Sequence, residues 1–264
     1  MNTFKNKWIW ITGASSGLGK AMAIALAEEG AHLILSARSE EKLHQVAESC
    51  QGSGKKHILP LDLTQSDSFQ EKVNKALSYG GYVDIIINNG GISQRALAVE
   101  TQPSVSRELF EVNFFGTIEL TRLLLPSMLE RKSGHIVTIS SIVGKFGSPK
   151  RSSYSASKHA LHGYFDSLRF EVEPDGIDVT LLCPGFIQTD ISKNALTADG
   201  QPQNTMDEKT AQGLTTDQFA SRVLKAIRNK KKEANIGKYE IMGVYMKRFL
   251  PGLFRKILAK SEVT

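Results

Sequence analysis

Seven short apolar runs alternate with helix-length amphipathic stretches along this chain, and that order limits the available folds more than any other feature. Residues 8–12, 32–37, 57–61, 83–88, 134–140, 177–183 and 233–236 read as strands, apolar throughout rather than alternating. Residues 18–29, 40–49, 66–78, 104–131, 153–173 and 217–229 read as helices between them. Strands without a polar face are buried on both sides. Strands spaced by helix-length segments pair in parallel through right-handed crossovers. The expectation is an α/β fold: one Rossmann-type doubly wound domain, a parallel sheet flanked by helices on both faces.

No linker divides the 264 residues, a length that one large core can accommodate. Residues 192–216 are rich in Asn, Gln, Thr, Asp and Gly and lack an apolar period, so they read as a mobile loop over a substrate site. Cys50 and Cys183 are too few for a disulfide framework or structural zinc, which suits a reducing, cytoplasmic setting with no metal. No apolar run reaches the ~18 residues of a membrane span. Residues 1–7 are polar and do not read as a secretory signal.

The segment Thr12-Gly13-Ala14-Ser15-Ser16-Gly17-Leu18-Gly19 joins the first strand to the first helix. Gly13 permits a tight turn, Gly17 admits a pyrophosphate close to backbone, and Gly19 lets helix and strand approach. The helix N-terminus then offers free N–H groups to phosphate. Such a cluster by itself can also be an ordinary turn.

This spacing, G-x-x-x-G-x-G after a Thr, resembles the loop of the short-chain dehydrogenase/reductase (SDR) family. Other segments match in order. Asn88-Asn89-Gly90-Gly91 resembles the family's NNAG, with Gly90 in place of Ala. Tyr154-Ser155-Ala156-Ser157-Lys158 is its YxxxK motif. Asn88 to Arg95 and Tyr154 to Leu161 are similar to the member 7-like branch of the family. The resemblance implies a sheet of order 3-2-1-4-5-6-7 and a cofactor held by Gly13, Ser15, Ser16, Gly17, Leu18, Gly19, Asp62, Leu63, Asn89, Gly90, Tyr154, Lys158, Pro184, Gly185, Ile187 and Thr189. Within that set Asp62 contacts adenine, or else caps a helix. Ile187 backbone and the Thr189 hydroxyl hold the carboxamide, so that the pro-S hydride is transferred.

The second strand ends in Ala37-Arg38, where an NAD-preferring chain carries an acidic residue on the ribose. A guanidinium instead binds a 2′-phosphate. NADP(H) is therefore expected, with Arg38 discriminating and Ser36 or Ser39 assisting; the alternative is an ordinary surface Arg.

Tyr154 and Lys158, four apart, share a helix face. A phenol of pKa ~10 needs a neighbouring cation to work near neutrality. The resemblance makes Ser141 the group that polarises the carbonyl, with Ser140 the structural neighbour. It assigns Asn113 to a water-linked proton relay through Lys158; the other reading is an Asn that kinks its helix around a structural water. Ser93, Gln94, Ile142, Val143, Phe146, Phe186 and Ile191 are candidate pocket residues. Lys145, Lys150 and Arg151, on the loop before Tyr154, read as solvated or as meeting an anionic substrate.

Together these imply an oxidoreductase that interconverts a small hydrophobic carbonyl and a secondary alcohol. The alternatives are a 3-oxoacyl-carrier reductase or a non-catalytic NADP-sensing scaffold. The resemblance also implies a homodimer, with a tetramer open, through the two long helices. No nucleic-acid module is present.

The net charge of +6 is concentrated at one end. From Lys225 onward, eleven Lys and Arg face three Glu, a net of +8, so the first 224 residues sum to −2. The reading is a catalytic domain over 1–237 and a basic amphipathic extension over 238–264. That extension either packs its apolar face on the body or a partner subunit near the substrate pocket with its charges solvated, or lies on anionic lipid at the inner membrane surface.

Overall fold

The computed structural model describes residues 3–260. The first two residues of the polar N-terminal segment and the last four of the predicted extension lie outside the described residues. The strands are β1 (Trp8–Thr12), β2 (His32–Ser36), β3 (Lys56–Ile58), β4 (Ile85–Asn88), β5 (Gly134–Ile139), β6 (Ile177–Pro184) and β7 (Glu233–Ile236). They form one seven-stranded sheet in the order β3-β2-β1-β4-β5-β6-β7, every pair parallel. This is the order expected.

The helices are α1 (Gly17–Glu28), α2 (Glu40–Ser49), α3 (Phe69–Ser78), α4 (Pro103–Phe110), α5 (Gly116–Arg131), α6 (Ser152–Val172), α7 (Glu208–Ala211), α8 (Thr216–Arg228), α9 (Met242–Phe249) and α10 (Pro251–Lys260). Successive strand residues point to opposite faces. Ile9, Ile11, Leu33, Leu35 and Ile87 pack with Met22 and Leu26 of α1 and Phe219 and Val223 of α8. Trp8, Trp10, Ile34 and Ile86 pack with α3, α5 and α6 through Phe69, Leu120 and Phe165. Two cores on one sheet explain the absence of polar alternation in the strand runs.

Two departures from the predicted elements have local causes, and the extension shows a third feature of note. The expected 57–61 strand is regular only over β3. Leu59 and Leu61 N–H still donate to Leu35 and Ala37 O, but Pro60 between them has no N–H to donate. The expected 104–131 helix is interrupted by a π-helical turn at Glu111–Phe115. Its wider coil carries Asn113 into the interior. Over residues 238–260 the extension lies against the body. Pro251 opens α10, Phe254 is buried, and its ring meets Phe146 edge-on at 5.0 Å. The apolar inner face packs on the body. No described helix is long and apolar enough to cross a membrane.

Candidate active site

The site lies at the carboxyl ends of the strands, in the crevice an open α/β sheet provides. Thr12 ends β1 and organises it. Its hydroxyl accepts the N–H groups of Asn89 and Gly90, each at 3.0 Å. Asn89 Nδ2 returns hydrogen bonds to Thr12 O at 3.0 Å and Gly13 O at 3.1 Å. Gly13 has φ +62°, and a Cβ there would stand 2.8 Å from Gly90 Cα. A Cβ on Gly19 would stand 2.2 Å from Gly13 O. Both positions therefore require glycine on grounds of space, independent of any motif.

A cavity of about 1040 Å³ runs along this edge. It is lined by Gly13, Ser15, Ser16, Gly17 and Leu18, by Ser36 and Arg38, by Asp62 and Leu63, and by Asn89 and Gly90. Ser141, Tyr154, Lys158, Pro184, Gly185, Ile187 and Thr189 line it further along. Of the residues expected to serve catalysis or hold the cofactor, only Gly19 and Asn113 are set behind the wall. A glycine cradle at a helix N-terminus, cations at one end and an acid–base group at the other fit a nicotinamide dinucleotide.

At the cation end, Arg38 is exposed, and Lys42 of α2 lines the same region. Lys42 is a second cation that the sequence reading missed. Ser36 is fully buried and its hydroxyl accepts the Trp10 indole N–H at 2.8 Å, tying β2 to β1. Ser39 caps α2, accepting from Lys42 N at 3.4 Å. The Asp62 carboxylate accepts the N–H and hydroxyl of Thr64 at 3.0 and 2.8 Å, so it holds its own loop while facing the cavity.

At the other end Tyr154 is buried, with its phenol near the Ser141 hydroxyl. The Ser141 hydroxyl accepts Val143 N–H at 3.3 Å. Burial raises the phenol above its usual pKa; the Ser141 hydroxyl and the positive charges of Arg95 and Arg151 act the other way. Burial pushes the Lys158 ammonium down to about 8. Its Nζ donates to Ile139 O at 3.0 Å and lies 5.9 Å from the Tyr154 ring centre. Asn113 does not bond Lys158 directly. Its Oδ1 accepts Ile92 N–H at 2.8 Å, and its Nδ2 donates to Ile92 O and Ser157 Oγ, each at 3.0 Å. Ser140 braces α6 through His162 Nε2 at 3.0 Å.

Several pocket expectations need correction. Gln94 is fully buried outside the cavity. Its Oε1 accepts the Ser153 and Tyr154 N–H groups at 3.0 and 3.3 Å, which satisfies donors at the start of α6. Arg151 is buried rather than solvated, because Asp207 from the polar loop accepts from it at 3.2 Å. The same carboxylate accepts Arg95 Nε at 2.9 Å. Burial acts to raise the Asp207 pKa, but the hydrogen bond and charge of Arg95 hold it below the usual carboxylate value. Lys145 pairs with Glu233. The remaining candidates, Ser93, Ile142, Val143, Phe146, Phe186 and Ile191, do line the cavity.

Asp207 anchors the 192–216 stretch, whose polarity alone reads as mobility. Leu196 also exchanges backbone hydrogen bonds with Ser93 and Arg95 at 2.9 and 2.8 Å. Glu240 is a further residue the sequence reading missed. Its carboxylate accepts Phe186 N–H at 2.9 Å and Lys238 N–H at 3.1 Å. It fits only because Gly185 has no Cβ, which would stand 2.1 Å from Glu240 Oε1.

Comparison with known proteins matches residues 7–200 to a family described as short chain dehydrogenase. Dehydrogenase/reductase SDR family member 7B of Mus musculus is 42% identical over 261 residues, covering 97% of this chain and 81% of the mouse protein. A Drosophila melanogaster protein, dehydrogenase/reductase SDR family protein 7-like, is 41% identical over 268 residues, covering 99% of this chain and 82% of its own. Among solved structures, a short chain dehydrogenase from Burkholderia cenocepacia in complex with NADP has a TM-score of 0.81 at 25% identity, covering 98% of this chain and 99% of its own. A short chain dehydrogenase/reductase from Burkholderia phymatum in complex with NAD has a TM-score of 0.85 at 24% identity, covering 96% of each chain, a likeness of fold.

Proposed function

This chain belongs to the short-chain dehydrogenase/reductase family, and from that premise we propose that it is an NADP(H)-dependent oxidoreductase interconverting a carbonyl and a secondary alcohol. The observation that carries the reading is one continuous cavity bordered by the glycine cradle, by Arg38 and Lys42, and by Ser141, Tyr154 and Lys158. NADP rather than NAD rests on the two cations and on the absence of a carboxylate at Ala37-Arg38. A guanidinium and an ammonium favour a 2′-phosphate that an acidic residue would repel.

When bound, the reduced cofactor supplies a hydride to the carbonyl carbon. Tyr154 donates its phenolic proton to the carbonyl oxygen as negative charge develops there, and Ser141 donates a hydrogen bond to the same oxygen. The product alcohol thus gains one hydride and one proton. Arg95, Arg151 and the Lys158 ammonium stabilise the phenolate that Tyr154 becomes. Proton return follows Lys158 and the Asn113 amide region. The apolar wall of Ile142, Val143, Phe146 and Phe186 selects a hydrophobic substrate. Exposed Phe115 and Phe170, near and on the two long helices, support a homodimer through those faces.

The test is turnover of NADPH and, in parallel, NADH against steroids, quinones, aryl ketones and a carrier-linked β-ketoacyl thioester. The reading expects NADPH oxidation with at least one apolar ketone or quinone. Activity with the carrier thioester alone would reassign the substrate. No oxidation of either cofactor across the panel would contradict the enzyme.

A further inference from the structure

The segment from Met242 to Lys260 has two differently occupied faces. Inward, Phe254 packs on Phe146, while Met246 and Leu258 line the main cavity. The root is fixed by Glu240 on Phe186 and by Arg222 Nη1 donating to Gly237 O at 2.9 Å. Outward, Met242, Tyr245 and Phe249 follow at intervals of three and four residues on α9, and Leu253 and Ile257 at four on α10. Phe249 is 74% exposed and Leu253 and Ile257 are each 49% exposed. Lys247, Arg248, Arg255 and Lys256 are exposed beside them, and none enters an ion pair among the described residues. No acidic residue occurs between Ile241 and Lys260.

We propose that this outer face seats on an anionic lipid bilayer, with the apolar row in the acyl boundary and the four cations at the headgroups. Large apolar side chains among unpaired cations on a short helical segment are the composition that lies in a membrane interface. A second copy of the chain fits poorly, because a two-fold interface sets the same cations against themselves. Nucleic acid would engage the cations and leave the apolar row in water. Ile257 both lines the cavity and reaches the surface, so the membrane-facing segment is also a wall of the substrate pocket. A carbonyl compound dissolved in the bilayer then enters without crossing water. That consequence rests on the reductase reading; the docking itself does not.

Co-sedimentation of the full chain with phosphatidylcholine vesicles, and with vesicles part phosphatidylglycerol, tests the docking without any turnover. The expected result is pelleting with the anionic vesicles only, reversed by salt. Each of Lys247→Glu, Arg248→Glu, Arg255→Glu and Lys256→Glu should weaken partitioning about fivefold or more, and the four together should abolish it. Phe249→Ser with Leu253→Ser should weaken it at least tenfold, by loss of apolar burial. Turnover of a water-soluble carbonyl should stay unchanged in these variants, since none of the six residues lines the main cavity. Failure of the unaltered chain to pellet with anionic vesicles overturns the proposal. So does pelleting that neither set of variants reduces. Variants that halve the mass in sedimentation velocity would identify the occupant as a second copy, which also overturns it.

Discussion

Asp207→Ala removes the carboxylate held between Arg95 and Arg151. All three side chains are nearly sealed from water, at 3% exposure for Asp207 and 6% for each arginine. Breaking a buried ion pair by deleting one partner costs about 3–5 kcal/mol, because the remaining charge stays desolvated. At roughly 2–4 °C per kcal/mol for a chain of this size, global unfolding would fall by about 6–20 °C. The loss can also appear locally. Gln203 Nε2 donates to Asp207 at 3.1 Å, and Asp207 N–H donates to Ser192 Oγ at 3.3 Å, so the loop over the pocket hangs on the same residue. Differential scanning calorimetry reads the global component, and limited proteolysis within 192–206 reads the local one. KM for the carbonyl should rise with loop release. Asp207→Asn keeps the volume and one acceptor oxygen, so it should fall between. A melting temperature within about 2 °C of the unaltered chain, with the loop still resistant to protease, would refute the reasoning.

Other perturbations follow from the same geometry. Arg38→Ala should weaken NADPH binding about 10- to 100-fold, the worth of a charge-assisted hydrogen bond to phosphate, and leave NADH little changed; equal effects on both cofactors in a binding titration would contradict the assignment. Gly185→Ala forces the Glu240 carboxylate off Phe186 N–H, so KM for cofactor should rise about tenfold, the share of a lost hydrogen bond to a charged group; unchanged KM would show that the extension does not support the nicotinamide loop. Burial holds His135 and His162 down at about 4, below the unfolded value of 6.5. The unfolded chain binds more protons between those values. Stability is therefore complete above pH 6.5 and is lost as pH falls toward 4, by about 2 kcal/mol per histidine at pH 5. Urea unfolding that is flat between pH 7 and pH 5 would contradict the burial.

The fold and the glycine cradle were legible because their signals are local. Apolar runs such as Ile85-Ile86-Ile87 need no knowledge of their neighbours to read as doubly buried strands. The glycines at 13 and 19 are required by contacts within a few residues or with the adjacent strand end. Tyr154 and Lys158 share a helix face by spacing alone. The missed groups act across the chain. Asp207 meets Arg95 and Arg151 from 112 and 56 residues away, and Glu240 meets Phe186 across 54. Nothing in the composition around Asp207, a loop of Asn, Gln and Thr, marks it as an anchor. Gln94 reads as a polar pocket residue until the start of α6 is seen above it. The π-helical turn at Asn113 belongs to a period that an α-helical reading averages away; a mid-helix Asn was its one visible sign.

The central claim is that Tyr154 passes a proton in a cavity that separately binds NADP(H). Its most direct test is steady-state NADPH oxidation by Tyr154→Phe, with NADPH affinity measured by fluorescence titration on the same preparation. Loss of a positioned general acid lowers kcat by about 10²–10⁴-fold. The account predicts that loss with NADPH affinity unchanged within about threefold, since the phenol contributes at most one ordinary hydrogen bond to binding. A near-normal kcat with intact NADPH binding would contradict it.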